Sequence, residues 1–194
     1  MLERVGSERS AVFLDRDGVL NQAFTENGRP YPPRSLREFE VLGGVPEACT
    51  ELRAAGFMLI VVTNQPDLAR GKLSWQVLDE IHDALRARVP LDAIIICPHD
   101  DSDQCACRKP APGMILEASR RHRIDRTRSV MVGDRWRDVE AGRRAGCMTV
   151  FIDHGYGEHR PDRPDLAVES LPEAVAWIIR TGRSRAAPNE GSPT

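Results

Sequence analysis

Five short apolar runs, separated by stretches with helical patterning, constrain this 194-residue chain more than any other feature. Residues 11–14 (A-V-F-L), 57–62 (F-M-L-I-V-V), 93–97 (A-I-I-I-C), 129–132 (S-V-M-V) and 148–152 (M-T-V-F-I) have the length and side chains of buried strands. Helices fit the intervals: 46–55, with proline at its start and Gly56 past its end; 74–88, capped by Ser74; 114–122; and 136–145, stopped by Gly146. A last helix opens at the capping-box pattern Ser170-x-x-Glu173 and ends near Arg180. Strands that alternate with helices imply a parallel sheet with right-handed crossovers. The expected class is α/β, a Rossmann-like three-layer sandwich around a mostly parallel sheet. Residues 22–44 break the pattern, since N-G-R-P-Y-P-P-R is turn chemistry, and a loop of that length is often functional. Residues 1–181 are expected to form one domain and 182–194 a disordered tail.

In an open α/β sheet, ligands bind outside the carboxyl ends of the strands. The first run leads there into D-R-D-G, which sets Asp15 and Asp17 at the strand end with Gly18 to let the backbone turn. A carboxylate beside a cation can attack a phosphoryl group, and a second, protonated carboxyl can donate to the leaving oxygen. Identical groups divide that work only when their environments separate their pKa values. Alone, the motif fits an acidic turn equally well.

Thr63, Lys109 and Asp134 follow in order. Asp15, Asp134 and a backbone carbonyl near Asp17 could hold Mg²⁺, a hard cation that offsets phosphate charge. Thr63 offers a hydroxyl and neighbouring N–H groups to phosphate oxygens, and Lys109 a point charge for the transition state. Singly, Thr63 reads as a strand-end cap and Lys109 as a surface lysine; in this order the set reads as phosphoryl transfer. Arg108 and Arg135 adjoin signature residues and either fork a second substrate group or form surface ion pairs. Asp138 is a supporting acid, a metal ligand, or a carboxylate favoured by a helix N-terminus. Arg29, Arg34 and Arg37 could reach a phosphate from the 22–44 loop or stay solvated. The chain lacks G-x-G-x-x-G after its first run and G-x-x-x-x-G-K-[ST], which disfavours dinucleotide binding and P-loop chemistry.

Cys97-Pro98-His99 and Cys105-Ala106-Cys107 offer three thiols and one imidazole, a closed tetrahedral zinc set without an open position. That loop ends at Arg108-Lys109, so a metal there would fix the lysine. The alternatives are three unrelated cysteines or a Cys97–Cys105 disulfide. Cys49 and Cys147 sit in apolar settings as buried thiols, and His82, His122, His154 and His159 lack a matching partner set. A formal net charge of −2 gives no bulk attraction for nucleic acid or an anionic membrane. With no apolar run of membrane-spanning length and no signal-peptide core at the start, a cytoplasmic monomer acting on a small phosphorylated molecule is expected.

F-L-D-R-D-G-V-L-N, V-V-T-N-Q, A-R-G-K, C-P-H…C-A-C-R-K-P-A-P-G-M and V-G-D-R-W-R-D together resemble the haloacid dehalogenase (HAD) superfamily of phosphatases. Within it they are most similar to the zinc-loop group of heptose-bisphosphate and histidinol-phosphate phosphatases, over about residues 11–180. The resemblance implies a small cap or none, Asp15 as the nucleophile that forms an aspartyl-phosphate, and Asp17 as general acid, then base. It also implies Thr63 and Lys109 on the phosphoryl group, and Asp15, Asp134 and the Asp17 backbone on Mg²⁺. Cys97, His99, Cys105 and Cys107 would hold structural Zn²⁺, and Asn64, Gln65, Arg108 and Arg135 match substrate-contacting positions.

The five-residue segment between His99 and Cys105, Arg135 in place of lysine, and N-Q-P-D in place of N-Q-S-G depart from the heptose pattern. A-R-G-K and R-K-P-A-P-G-M follow it. Removal of the 7-phosphate of D-glycero-D-manno-heptose 1,7-bisphosphate is therefore the expectation, with histidinol phosphate or another small polyol phosphate as the alternative. A phospho-accepting receiver module also combines Asp, Thr and Lys. It carries its accepting aspartate on a later strand, and no mid-chain run here ends in aspartate.

Overall fold

The computed structural model describes residues 9–184. In chain order its elements are β1 (Ala11–Leu14), β2 (Phe24–Glu26), β3 (Arg29–Tyr31), α1 (Val45–Ala54), β4 (Met58–Asn64), α2 (Trp75–Arg86) and β5 (Ala93–Cys97). There follow α3 (Gly113–His122), β6 (Val130–Gly133), α4 (Trp136–Ala145), β7 (Met148–Ile152), β8 (Leu166–Val168) and α5 (Leu171–Ser184).

Six strands form one sheet in the order β5-β4-β1-β6-β7-β8, and every pairing is parallel. Side chains of a strand alternate between faces, and β1 does so cleanly. Val12 and Leu14 join the core beneath α1 and α5, whereas Ala11 and Phe13 join the core beneath α3 and α4. Both faces are thus covered, which is why the central strands are continuous apolar runs rather than alternating ones. The three-layer expectation holds.

The chain builds outward from β1 to β4 and β5, then returns to β6 on the other side of β1. That reversal opens a crevice at the carboxyl ends of β1 and β6, where an open α/β sheet binds ligands. Ser74 accepts a hydrogen bond from the Val77 N–H at 3.2 Å and starts α2 as expected. No helix among the described residues is long and apolar enough to cross a membrane.

The structure corrects the sequence reading in three places. Residues 22–44 contain a two-stranded hairpin, β2 paired antiparallel with β3. Asn27 and Gly28 both have positive φ (52° and 75°), the backbone of a primed turn that suits strand twist. Gly28 also accepts a 2.8 Å bond from the Gly157 N–H, which ties the hairpin tip to the body.

The second correction is β8, a three-residue edge strand too short to stand out as an apolar run. Asp165, just before it, binds the Thr149 N–H and hydroxyl at 2.8 and 3.0 Å and sets its register. Lastly, α5 does not end near Arg180 but continues through Gly182 to Ser184. A Cβ at Gly182 would stand 2.3 Å from the Phe57 ring, so the glycine there permits close packing rather than a stop. Residues 185–194 of the expected tail lie outside the described residues.

Candidate active site

Asp15 leaves the end of β1 with its N–H bonded to Val132 O at 2.9 Å, and the Arg16 N–H donates to its Oδ1 at 2.8 Å. Lys109 is buried with its Nζ 2.8 Å from Asp15 Oδ1 and 2.6 Å from Asp138 Oδ1. Burial alone would lower the Lys109 pKa, but the Asp138 and Asp15 charges outweigh it and raise it above its ordinary value. The lysine is therefore an ammonium. Burial pushes the Asp15 carboxyl up to about 6, opposed by Lys109 and assisted by the Asp138 and Asp17 charges.

Asp134 follows β6 and is likewise buried. Burial raises its pKa well above the usual carboxylate range, and the charges of Asp15 and Asp138 add to the rise. Carboxylate oxygens of Asp15, Asp134 and Asp138 lie within 4.8 Å of one another. These carboxyls face a single ammonium, and both Asp134 oxygens are buried with the Tyr156 hydroxyl beside them. An all-oxygen set with more negative charge than its ammonium offsets suits a hard divalent cation. Gly18, at φ 82°, allows the close approach: a Cβ there would stand 2.0 Å from Asp134 Oδ2.

Asp138 combines two of the roles open to it. Its Oδ1 grips Lys109 while its Oδ2 accepts the Arg135 N–H at 3.0 Å, capping α4. Asn64 fixes the other side of the lysine, with its amide donating to Lys109 O and accepting from Lys109 N–H, both at 3.1 Å.

The Asp17 carboxylate is not part of the trio. It accepts from Arg16, from Asn21 Nδ2 at 3.0 Å and from Gln65 Nε2 at 3.0 Å. Gln65 is fully buried and also donates to the Thr63 hydroxyl at 2.9 Å, so Thr63, Gln65 and Asp17 form one hydrogen-bonded row.

Asp15, Asp17, Lys109 and Asp134 open on a cleft of about 350 Å³, in the range of small-molecule sites. Arg29, Asn64, Arg108 and Arg135 reach the same cleft, whereas Thr63 and Gln65 do not line it. Arg108 donates to Asp101 Oδ1 at 2.8 Å and to His99 O at 3.2 Å, and Arg135 is forked by Glu158. Arg34 instead faces Asp67 at 3.9 Å, and Arg37 is exposed.

The cysteine loop closes as expected. Sγ atoms of Cys97, Cys105 and Cys107 lie 3.2–3.6 Å apart, and His99 Nδ1 stands 3.3 Å from Cys107 Sγ and 3.6 Å from Cys97 Sγ. Ligands about 2.3 Å from a tetrahedral metal sit roughly 3.7 Å from each other, close to this spacing. All five cysteines are free, which removes the disulfide alternative. Arg70 of A-R-G-K forks Asp100 at 2.7 and 2.6 Å and ties this loop to the segment after β4.

Arg16, Asp101 and Glu158 went unnoticed in the sequence, and His82, which reads there as lacking a partner set, is buried against Arg16. The only signal for any of them is the cation set between two acids in D-R-D.

The HAD-hydrolase-like family model matches residues 106–174. The D-glycero-beta-D-manno-heptose-1,7-bisphosphate 7-phosphatase of Bordetella bronchiseptica is 38% identical over 172 residues, covering 84% of this chain and 89% of its own. Its namesake from Yersinia pestis is 40% identical over 190 residues, covering 85% and 94%. Among solved structures, the B. bronchiseptica D,D-heptose 1,7-bisphosphate phosphatase complexed with magnesium and phosphate aligns with a TM-score of 0.73 at 32% identity. That alignment covers 88% of this chain and 98% of the other.

Proposed function

This chain belongs to the HAD-like hydrolases, in the heptose-1,7-bisphosphate 7-phosphatase group, and from that premise we propose that it removes the 7-phosphate of D-glycero-D-manno-heptose 1,7-bisphosphate through an aspartyl-phosphate on Asp15. The observation that carries the reading is a buried carboxylate held by a buried ammonium at the sheet's crevice, within a cluster of three acids that share this one ammonium. Asp15 Oδ attacks phosphorus, an O–P bond forms, and the ester P–O bond breaks as Asp17 gives its proton to the leaving oxygen. Water then attacks the aspartyl-phosphate with Asp17 taking its proton, which frees phosphate and restores Asp15. Lys109 faces the equatorial oxygens, where charge builds in the transition state.

Asp15, Asp134 and the Asp17 backbone would hold Mg²⁺, which offsets the repulsion between carboxylate and phosphate. Cys97, His99, Cys105 and Cys107 would hold Zn²⁺ as a structural ion. Arg108 and Arg135 are placed to meet the substrate's second phosphate by displacing the carboxylates that now hold them.

The deciding experiment compares kcat/KM for heptose 1,7-bisphosphate and histidinol phosphate in Mg²⁺. A preference of about 100-fold or more for the bisphosphate is expected, roughly the worth of two charge-assisted contacts. Equal rates, or a preference for histidinol phosphate, would overturn the substrate assignment. Asp138→Asn tests the lysine's anchoring: it retains an acceptor for the Arg135 N–H but loses the charge opposite Lys109. A fall in kcat on the order of 10- to 100-fold is expected, read by phosphate release.

A further inference from the structure

Arg16 stands between the nucleophile and its proton-transferring neighbour, yet its side chain has no exposed surface at all. A buried guanidinium persists only where its donors are satisfied. Here Nε meets Asp17 Oδ1 at 3.0 Å, while Nη2 meets Oδ1 and Oδ2 at 2.9 Å each. The remaining arm, Nη1, lies 3.1 Å from Nε2 of His82, a residue of α2 that is 2% exposed. Burial, reinforced by the Arg16 charge, drives the His82 pKa down to about 3, so the ring is neutral. Arginine can only donate. Nε2 must therefore accept, and the ring proton sits on Nδ1.

We propose that Arg16, braced from behind by His82, is a positioning residue that fixes the orientation of the Asp17 carboxylate for proton transfer. The proposal rests on the role assigned to Asp17 above. A carboxylate on a loop can rotate about its side-chain bonds; a fork to both oxygens sets its plane and rotamer before substrate arrives. The fork alone would leave the guanidinium free to swing. His82 removes that freedom by holding the third nitrogen from the α2 side. A helix that contributes no residue to the cleft lining thereby orients a group inside it, through a contact 66 residues apart in sequence.

The test uses two esters of similar size, phenyl phosphate and p-nitrophenyl phosphate, whose leaving oxygens differ in their need for a proton. The quantity compared is kcat/KM, which reports phosphoryl capture through leaving-group departure. Arg16→Met is expected to lower kcat/KM on phenyl phosphate at least ~10-fold more than on p-nitrophenyl phosphate, a part of the ~10²–10⁴-fold that general acid catalysis supplies. Arg16→Lys, which keeps the charge but cannot fork, should show the same bias to a smaller degree and decides the matter if the methionine variant does not fold. His82→Leu should repeat the bias more weakly, and His82→Gln, which restores an acceptor, should relieve it. Equal losses on both esters in folded Arg16 variants, or no loss, would overturn the proposal. Asp17→Asn run alongside separates the two layers. A biased loss there with unbiased Arg16 variants sinks the positioning role alone, whereas an unbiased Asp17→Asn sinks the reading beneath it.

Discussion

Asparagine at position 15 is expected to lower kcat by at least ~10⁴-fold, because the amide cannot form the covalent phosphoryl-enzyme and no other buried carboxylate is placed to replace it. Asp138 and Asp134 share the cluster, but Asp138 is held by Lys109 and the α4 N-terminus, and Asp134, at the end of the neighbouring strand β6, forms no ion pair with Lys109. The loss should not come from unfolding. Asp15 is nearly isosteric with asparagine and is one of three crowded carboxyls; burial first, and the charges of the neighbouring carboxylates second, push Asp15 and Asp134 upward, so the ionised form of Asp15 is costly to hold there. Without divalent cation, thermal unfolding of Asp15→Asn should therefore fall at or above the wild-type midpoint. A variant that kept turnover above one-hundredth of wild type would remove Asp15 from the chemistry.

The second large effect concerns the cysteine loop. Structural zinc contributes roughly 10–16 kcal/mol of apparent folding free energy in zinc-finger peptides. Cys97 ends β5 within the core beneath α3 and α4, and Cys105 and Cys107 pack against it, but the core beneath α1 and α5 contains none of the three, so removal of the metal should melt the loop and its attachments rather than the chain. The attachments at stake are Arg70 to Asp100, Arg108 to Asp101 and His99, and, next along the backbone, Lys109. Cys107→Ser, or extraction of zinc by a strong chelator, is expected to lower Tm by on the order of 10 °C. Turnover should fall with it, and amide exchange should accelerate in residues 97–109. Exchange unchanged across that loop after zinc loss would contradict a structural role for the ion.

How much could be read from residues alone depended on whether an element is defined by its own residues or by a distant partner. β1, β5, α4 and β7 were legible because each is an apolar run or periodic stretch with a local stop such as Gly146. The hairpin and β8 were not, since three residues carry no periodicity and their strands exist by pairing and by anchors such as Asp165. The end of α5 was hidden for the same reason: Gly182, a residue type that often lies beyond a helix end, continues the helix here because its missing side chain admits the Phe57 ring.

The site divides in the same way. Asp15, Lys109, Asp134 and the cysteine set lie at strand ends or in one short loop, where residue type and spacing express the chemistry. The Arg16–His82 and Arg135–Glu158 contacts join positions 66 and 23 residues apart and depend on how α2 and the 153–160 loop pack, which spacing does not encode. Gln65 shows the limit within a motif. It belongs to V-V-T-N-Q, yet it lies buried between Thr63 and Asp17, out of the cleft that its neighbour Asn64 lines.

The most direct measurement is to quench the enzyme in acid during turnover, reduce the acyl phosphate with borohydride and locate the modified residue by peptide mass spectrometry. Conversion of Asp15, and of no other side chain, to homoserine is the predicted result. Modification at a different carboxylate, or an unmodified Asp15 under conditions where an intermediate demonstrably accumulates, would contradict the account.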